Sequence, residues 1–222
     1  MQHIRILMVD DHPIIIEGYQ NTLMATKRDE QTLVIDTANN CDSALLLMQK
    51  AASEKPYDVC FFDISLPPSS NGQVTSGEDL AKLCREIMPK AKIVILTMFN
   101  ESFRVLGILK EMNPEGFLIK SDLTSMELAE AFQYILTSPP YYSSTVTKYL
   151  KKAADSSDYV DEVNRKILYL LSKGTKTKNL TEYINLSMSA IEKRKKQLKE
   201  IFKVQDGKDE TLILKAKEQG LL

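Results

Sequence analysis

The chain has 222 residues, 43% of them hydrophobic, and a formal net charge of −1, enough apolar material for a core in one large domain or two smaller ones. The near-neutral total hides an asymmetry, since residues 151–222 carry 16 Lys/Arg against 11 Asp/Glu while residues 1–150 carry 13 against 19. An acidic front and a basic back suggest two domains with different partners, a polyanion for the basic one. The three cysteines, Cys41, Cys60 and Cys84, are isolated and fit neither a disulfide framework nor a zinc spacing. The first residues lack the apolar core of a signal peptide, and no apolar run approaches the ~18 residues of a membrane span. The expected setting is therefore cytoplasmic, with no membrane partner.

In chain order, Ile4 to Val9 reads as a strand ending on Asp10-Asp11. His12, a lone histidine beside a proline, reads as structural, and Pro13 suits the first position of a helix over Ile14 to Ala25. Leu33 to Ala38 is a second strand and Asp42 to Ala52 an amphipathic helix closed by Lys55-Pro56. Val59-Cys60-Phe61-Phe62 is a continuous apolar run that stops at Asp63, the pattern of a strand buried on both faces. Residues 64–76 are rich in turn formers and long for a connection that usually takes about 2–6 residues. Ser76 is a candidate N-cap for a helix over Gly77 to Met88, with Asp79 in its first turn. A strand Ile93 to Leu96 ends on Thr97, and a helix follows over about 101–112. A strand Phe117 to Ile119 ends on Lys120, followed by a helix over about 125–136. This alternation predicts a five-stranded parallel sheet, doubly wound by helices on both faces, that ends at Ser138-Pro139-Pro140. A short helix over Ser143 to Ala154 and a polar linker at 155–158 come next. The rest reads as helix only, over about 160–172, 177–184, 188–202 and 209–219. The expected domains are 1–137 and 159–222, joined by 138–158.

In an open α/β sheet, ligands bind outside the carboxyl ends of the strands, where strand order reverses. Asp10, Asp11, Asp63, Thr97 and Lys120 all close apolar runs and would meet at that rim. Crowded carboxylates need a neutralising cation, and an all-oxygen donor set selects Mg2+ over zinc or copper. Phosphoryl transfer depends on positioning and charge neutralisation, work that the metal, Lys120 and the Thr97 hydroxyl would share, with Asp63 as nucleophile.

The segments VDDHP, FFDISLP, ILT and GFLIKSD resemble, over residues 1–136, the receiver domain of bacterial two-component response regulators, a flavodoxin-like fold. The resemblance implies that Asp63 accepts a phosphoryl group from a sensor histidine kinase. It further implies Mg2+ bound by Asp10, Asp11, Asp63 and the Ser65 backbone carbonyl, a switch pair Thr97 and Lys120, and a switch aromatic at Phe117. Such a protein is a regulator rather than an enzyme. The loop from Pro67 to Gly77 is about six residues longer than is usual in the family, a comparison that bears on local access more than on the chemistry. Ser121, after Lys120, fits the branch with LuxR/NarL-type output domains.

In the basic half, segments 177–184 and 188–202 flank Asn185-Leu186-Ser187, the spacing of a helix-turn-helix. On the second, Met188, Ile191, Leu198 and Phe202 form an apolar stripe, while Ser189, Lys193 and Lys196 fall on another face with Glu192 beside them, suited to a major groove. The arrangement resembles the LuxR/NarL-type DNA-binding domain, with departures. The glutamate usual in the first helix is replaced by Asn164 or Lys166, depending on register. The glycine usual at the end of the recognition helix is Lys203, and Ser189 stands where a basic residue is frequent.

The leading expectation is a transcription regulator in which phosphorylation of Asp63 controls homodimerisation and DNA binding. An alternative keeps the receiver but makes the divergent helical domain a protein-interaction module. A Mg2+-dependent phosphohydrolase would use the same carboxylates, but the sequence offers no substrate pocket for one.

Overall fold

The computed structural model describes residues 1–99, 102–155, 160–218 and 221–222. The chain divides into two compact units, Met1–Phe99 with Leu109–Val146, and Asn100–Ile108 with Thr147–Leu222.

The first unit is built on a parallel sheet. β1 (Gln2–Val9), β2 (Gln31–Ala38), β3 (Val59–Asp63), β4 (Lys92–Thr97), β5 (Gly116–Ile119) and β6 (Tyr141–Tyr142) lie in the order β2-β1-β3-β4-β5-β6. On one face, Ile4, Ile6, Met8, Val59, Phe61, Val94, Leu96 and Leu118 alternate along their strands. They pack against Leu23 of α1 (Pro13–Thr26) and Leu128, Ala131, Phe132 and Ile135 of α5 (Ser125–Thr137). The intervening Leu7, Val9, Cys60, Phe62, Ile93 and Ile95 are equally buried, with α2 (Cys41–Ser53) and α3 (Gly77–Ile87) packed together. Burial on both faces is why these strands read as unbroken apolar runs.

Helix starts follow local chemistry. Pro13 sits at the start of α1, and the Asn40 side chain caps α2 by accepting the Ser43 N–H at 2.8 Å. Thr124 and Glu127 form a reciprocal capping box on α5. Ser76 holds the N-cap position of α3 without a side-chain bond; Asp79 instead accepts the Thr75 N–H (2.8 Å) and hydroxyl (2.6 Å). α4 spans Ser102–Met112.

The sheet has one strand more than the sequence suggests. After the Pro139-Pro140 pair the chain turns back along β5. Tyr141 donates its N–H to the Glu115 carbonyl and Ser143 to the Phe117 carbonyl, both at 3.0 Å. A two-residue strand next to prolines has no periodicity to read, so it passes for linker. α6 (Ser144–Asp155) follows, and beyond Asp155 the expected linker lies outside the described residues.

The second unit contains α7 (Glu162–Ser172), α8 (Met188–Ile201) and α9 (Asp209–Glu218). They share a core that includes Ile167, Leu168, Leu180, Ile191, Leu198, Phe202, Leu212 and Ala216. The segment expected as a helix over 177–184 is a tighter 3-10 stretch, Thr177–Glu182. It begins at Lys176 without a side-chain cap and buries only Leu180. Its Thr and Asn residues compete for backbone hydrogen bonds, which disfavours a full α-helix in so short a piece.

Two helix ends contrast. α7 runs out on Gly174 at φ 81°, whereas α8 runs out on Lys203 at φ 52°. Val204 N–H bonds the Lys199 carbonyl (2.8 Å) and Lys203 N–H the Glu200 carbonyl (3.1 Å), the double bond of a Schellman end. That geometry favours glycine at the left-handed position, and a Cβ there is strained. Lys203 is exposed. Lys203→Gly should therefore stabilise the helical unit by about 1 kcal/mol, read as slower hydrogen exchange at α8 amides in the full chain; unchanged exchange would refute the strain argument.

Candidate functional site

The register of the strands brings the polar ends level. Val9 pairs with Phe62, Asp63 with Leu96, and Thr97 with Ile119, so the residues that close β1, β3, β4 and β5 meet at one rim. Strand order reverses between β1 and β3, which places the crevice between Asp10 and Asp63. Both carboxylates are buried, at 1% exposure each. Lys120 Nζ bridges them, 2.6 Å from Asp10 Oδ2 and 2.9 Å from Asp63 Oδ2. Asp11 lies at the mouth, exposed. His12, expected to stand alone, has partners: its Nδ1 is 2.7 Å from Asp11 Oδ1 and 3.2 Å from Asp10 Oδ1. Its backbone N–H donates to Asp10 Oδ1 at 3.0 Å.

The other site residues of the sequence reading lie around this centre. Thr97 is fully buried, and its Oγ1 accepts the Phe99 N–H at 2.9 Å. Phe117 is fully buried in β5 beside Ile95. Ser65 is exposed in the turn after β3.

Burial raises the Asp63 pKa above its ordinary 3.8; the Lys120 ammonium opposes the rise, the Asp10 charge adds to it, and the Ser65 backbone N–H opposes it. Burial together with the charges of Asp10 and Asp63 pushes the Tyr19 hydroxyl up to about 12. Tyr19 of α1 is thus a neighbour of the pocket that its helical spacing marks only as apolar.

Asp63 Oδ1 is buried without a hydrogen-bond partner, while Asp10 Oδ2 has the Lys120 ammonium beside it. Ligand atoms of Asp10, Asp11, His12 and Asp63 lie within 4.8 Å of one another. One ammonium cannot neutralise three carboxylates, and the surplus oxygens are hard donors, so the residues present fit a hard divalent cation such as Mg2+.

Two features that hold the pocket escape sequence reasoning. A Cβ built on Gly77 would lie 1.8 Å from the Asp63 carbonyl oxygen, so only glycine lets α3 start against the Asp63 backbone. The long loop 64–76 leaves Asp63 and returns to it, and it is tied down along the way. Ser70 donates its hydroxyl to Asp42 at 2.6 Å, and Ser69, buried, donates its N–H to the Val74 carbonyl at 2.8 Å. The second feature is Asp122, two residues past Lys120 in a 3-10 turn (Lys120–Asp122). Asp122 accepts the Thr145 N–H (2.9 Å) and hydroxyl (2.8 Å). Burial would raise its pKa, but the hydroxyls of Ser143, Thr145 and Ser144 and the Thr145 amide bring it below the ordinary value.

In the helical unit, the basic residues of α8 divide into two sets. Arg194 bonds Asp161 (2.6 Å) and the buried Asn164 (3.0 Å), Lys195 bonds Thr177 and Asp209 (2.6 Å each), and Lys199 pairs with Asp209 (2.6 Å). Ser189, Lys193 and Lys196 are exposed on one face. Asn164 is therefore turned toward α8, and Lys166 is exposed.

The fold and pocket define a flavodoxin-like α/β protein with a lysine-bridged acidic site at its switch point. Compared with known protein families, residues 6–133, more than half of the chain, match the response regulator receiver domain. The chain belongs to the response regulator receiver family. It is 26% identical over 198 residues to the transcriptional regulatory protein MctR of Rhizobium johnstonii, covering 88% of this chain and 86% of that one. It is 24% identical over 204 residues to the oxygen regulatory protein NreC of Staphylococcus epidermidis, covering 86% and 87%. Among solved structures it resembles RcsB of Salmonella enterica serovar Typhimurium bound to a promoter in the presence of a BeF3− phosphomimetic, with TM-score 0.62, 19% identity and full coverage of both chains. At that identity the likeness is one of fold. Among the described residues, no helix is long and apolar enough to cross a membrane.

The Asp63 pKa is raised in the folded state, so its contribution to stability is full below the unfolded value of 3.8 and is lost as pH rises through the folded value. Lys120→Met removes the opposing ammonium and should deepen that loss, to about 3–5 kcal/mol at neutral pH. Urea midpoints across pH 4 to 7, without divalent metal, should fall more steeply for the variant than for the natural chain. Equal slopes would refute the bridging role.

Proposed function

We propose that this chain is a two-component response regulator in which Asp63 is phosphorylated by a sensor histidine kinase and the helical unit binds DNA as a homodimer. The observation that carries the reading is the Lys120 bridge between two buried carboxylates at the rim of a receiver sheet. We assign residues 1–137 to the receiver, 159–222 to the output domain, 138–158 to their connection, and the whole to the cytoplasm.

An Asp63 carboxylate oxygen attacks the phosphorus of a phosphohistidine. The P–N bond breaks as the P–O bond forms, and the imidazole leaves with the electron pair. Asp10, Asp11, Asp63 and the Ser65 carbonyl would hold Mg2+, which when bound supplies positive charge to the phosphoryl oxygens. Lys120, already 2.9 Å from Asp63, is placed to hold a phosphoryl oxygen as well. The Thr97 hydroxyl accepts the Phe99 amide through a lone pair and so can still donate its proton to the new group. Phe117, buried next to the Thr97 strand, is the switch aromatic that follows that movement. One stable phosphoryl-aspartate per cycle makes the chain a switch rather than a hydrolase. Incubated with labelled acetyl phosphate and Mg2+, the natural chain should take up label and Asp63→Asn, still folded, should take up none; robust labelling of that variant would sink the assignment.

DNA as the partner of the helical unit is supported by the exposed Ser189, Lys193 and Lys196 on α8 and by the solved RcsB–promoter complexes. A protein-interaction role for this unit would leave those lysines without a task. Each lysine on a phosphate adds roughly 0.9 to the slope of log K against log salt. Lys193→Ala with Lys196→Ala should therefore weaken binding and flatten that slope by about 0.9 for each of the two that meets a phosphate. An unchanged slope would favour the interaction-module reading.

A further inference from the structure

In the first half of α8, which would lead into a groove, the exposed Glu192 has the wrong charge for a phosphate backbone. Ser189, Glu192, Lys193 and Lys196 are all exposed and fall at helical spacings that put them side by side. Arg194, Lys195 and Lys199 are occupied inside the unit. Over Met188 to Lys196 the free face of the helix is thus two lysines, a serine and a carboxylate, with Gln197 and Glu200 exposed further along. A face that only tracked phosphates would gain nothing from Glu192 and would be weakened by it.

Resting on the DNA-binding reading above, we propose that Glu192 reads base sequence, its carboxylate accepting a hydrogen bond from an exocyclic amino group in the major groove, cytosine N4 in preference to adenine N6. An ionised carboxylate only accepts. The major groove offers it two kinds of donor, cytosine N4 and adenine N6, while guanine O6 and N7 and thymine O4 repel it. Adenine carries the acceptor N7 beside its amino group, which a carboxylate meets at a cost, and cytosine has no such neighbour. Lys196, one turn further on, offers the donor that the guanine of the same pair, or of the next step, requires at O6 and N7. The Glu192–Lys196 pair therefore matches a C·G pair read in one orientation. It discriminates partly by repulsion, because the carboxylate penalises every base edge that presents only acceptors.

The test is selection of bound duplexes from a randomised DNA library by the full-length chain, activated with beryllofluoride and Mg2+, as the natural protein, Glu192→Gln and Glu192→Ala. The natural chain should enrich a motif with one nearly invariant cytosine per half-site. Glu192→Gln should shift that position toward adenine, whose N6 and N7 suit an amide, and Glu192→Ala should lose the preference there while binding random DNA more tightly. Replacing the cytosine by thymine should lower the affinity of the natural chain on the order of tenfold and leave Glu192→Ala nearly unaffected. If the natural chain enriches a motif and both variants enrich the same one, Glu192 does not read sequence and the inference is overturned. An adenine at the Glu192-dependent position would overturn the choice of cytosine. If the natural chain retains duplexes but enriches no motif, the inference is overturned while DNA binding stands; if it retains no duplex, the DNA-binding reading itself fails.

Discussion

The ammonium of Lys120 is the group on which the first unit depends. Asp10 and Asp63 are each 1% exposed and face one crevice, and two buried carboxylates at that separation repel each other strongly. A single lysine within 2.9 Å of both makes the arrangement tolerable without making it neutral, because Asp11 adds a third negative charge at the mouth. The residual negative charge suits a divalent cation. A pocket fully neutralised by protein cations would be more stable and would have no reason to bind one. That requirement reaches back into the sheet. The ammonium meets both carboxylates because β1, β3, β4 and β5 end level, and a shift of one residue in any of those strands would turn its terminal side chain to the other face.

The sequence made much of this readable for a physical reason. Strands buried on both faces show as unbroken apolar runs, and a charged residue directly after such a run, as in Phe62-Asp63 or Ile119-Lys120, can only sit at the sheet's end. Features that depend on a second, distant segment were not readable. Gly77 follows a loop of turn formers and looks like one more flexible glycine, yet its backbone lies where any Cβ would strike the Asp63 carbonyl. His12 looks unpartnered until α1 turns its ring toward Asp10 and Asp11. β6 consists of two residues that owe their conformation to the open edge of β5 rather than to their own pattern. The helix expected at 177–184 failed differently: its apolar spacing was sound, but Thr177, Asn179 and Thr181 favour a tighter turn.

In the helical unit, departures from the family pattern are offset nearby. Asn164 brings no charge to Arg194, and Asp161, three residues earlier, supplies one to the same guanidinium. Lys203 takes a left-handed position that glycine would fill more easily. The carbonyls around it accept the Lys215 ammonium, at 2.9 Å from Phe202 and 2.6 Å from Lys203. These exchanges preserve the scaffold while consuming cations that would otherwise be exposed. The exposed face over the first half of α8 is therefore set by few side chains, which gives its carboxylate, Glu192, unusual weight.

The same economy operates where the first unit hands over to the rest of the chain. Lys120 begins a 3-10 turn whose last residue, Asp122, holds the amide and hydroxyl of Thr145. Ser143 is fixed at both ends, its N–H on the Phe117 carbonyl and its Oγ accepting the Ile119 N–H at 3.2 Å. Ser143 and Thr145 flank the first residue of α6, and that helix continues past Val146 into the second unit. The strand that carries Phe117 and Lys120 is thereby hydrogen-bonded to the start of α6. A change that moves Lys120 or turns Phe117 must carry the first turn of α6 with it or break those bonds. A fifth bond shares the burden, since the Tyr141 N–H is held by the Glu115 carbonyl at the other end of β5. A freely jointed linker after β5 would absorb a small displacement at the pocket. A clasp of short bonds to both backbone and side chains transmits it as far as the first turn of α6, and β6, the strand that sequence alone does not reveal, is part of that clasp.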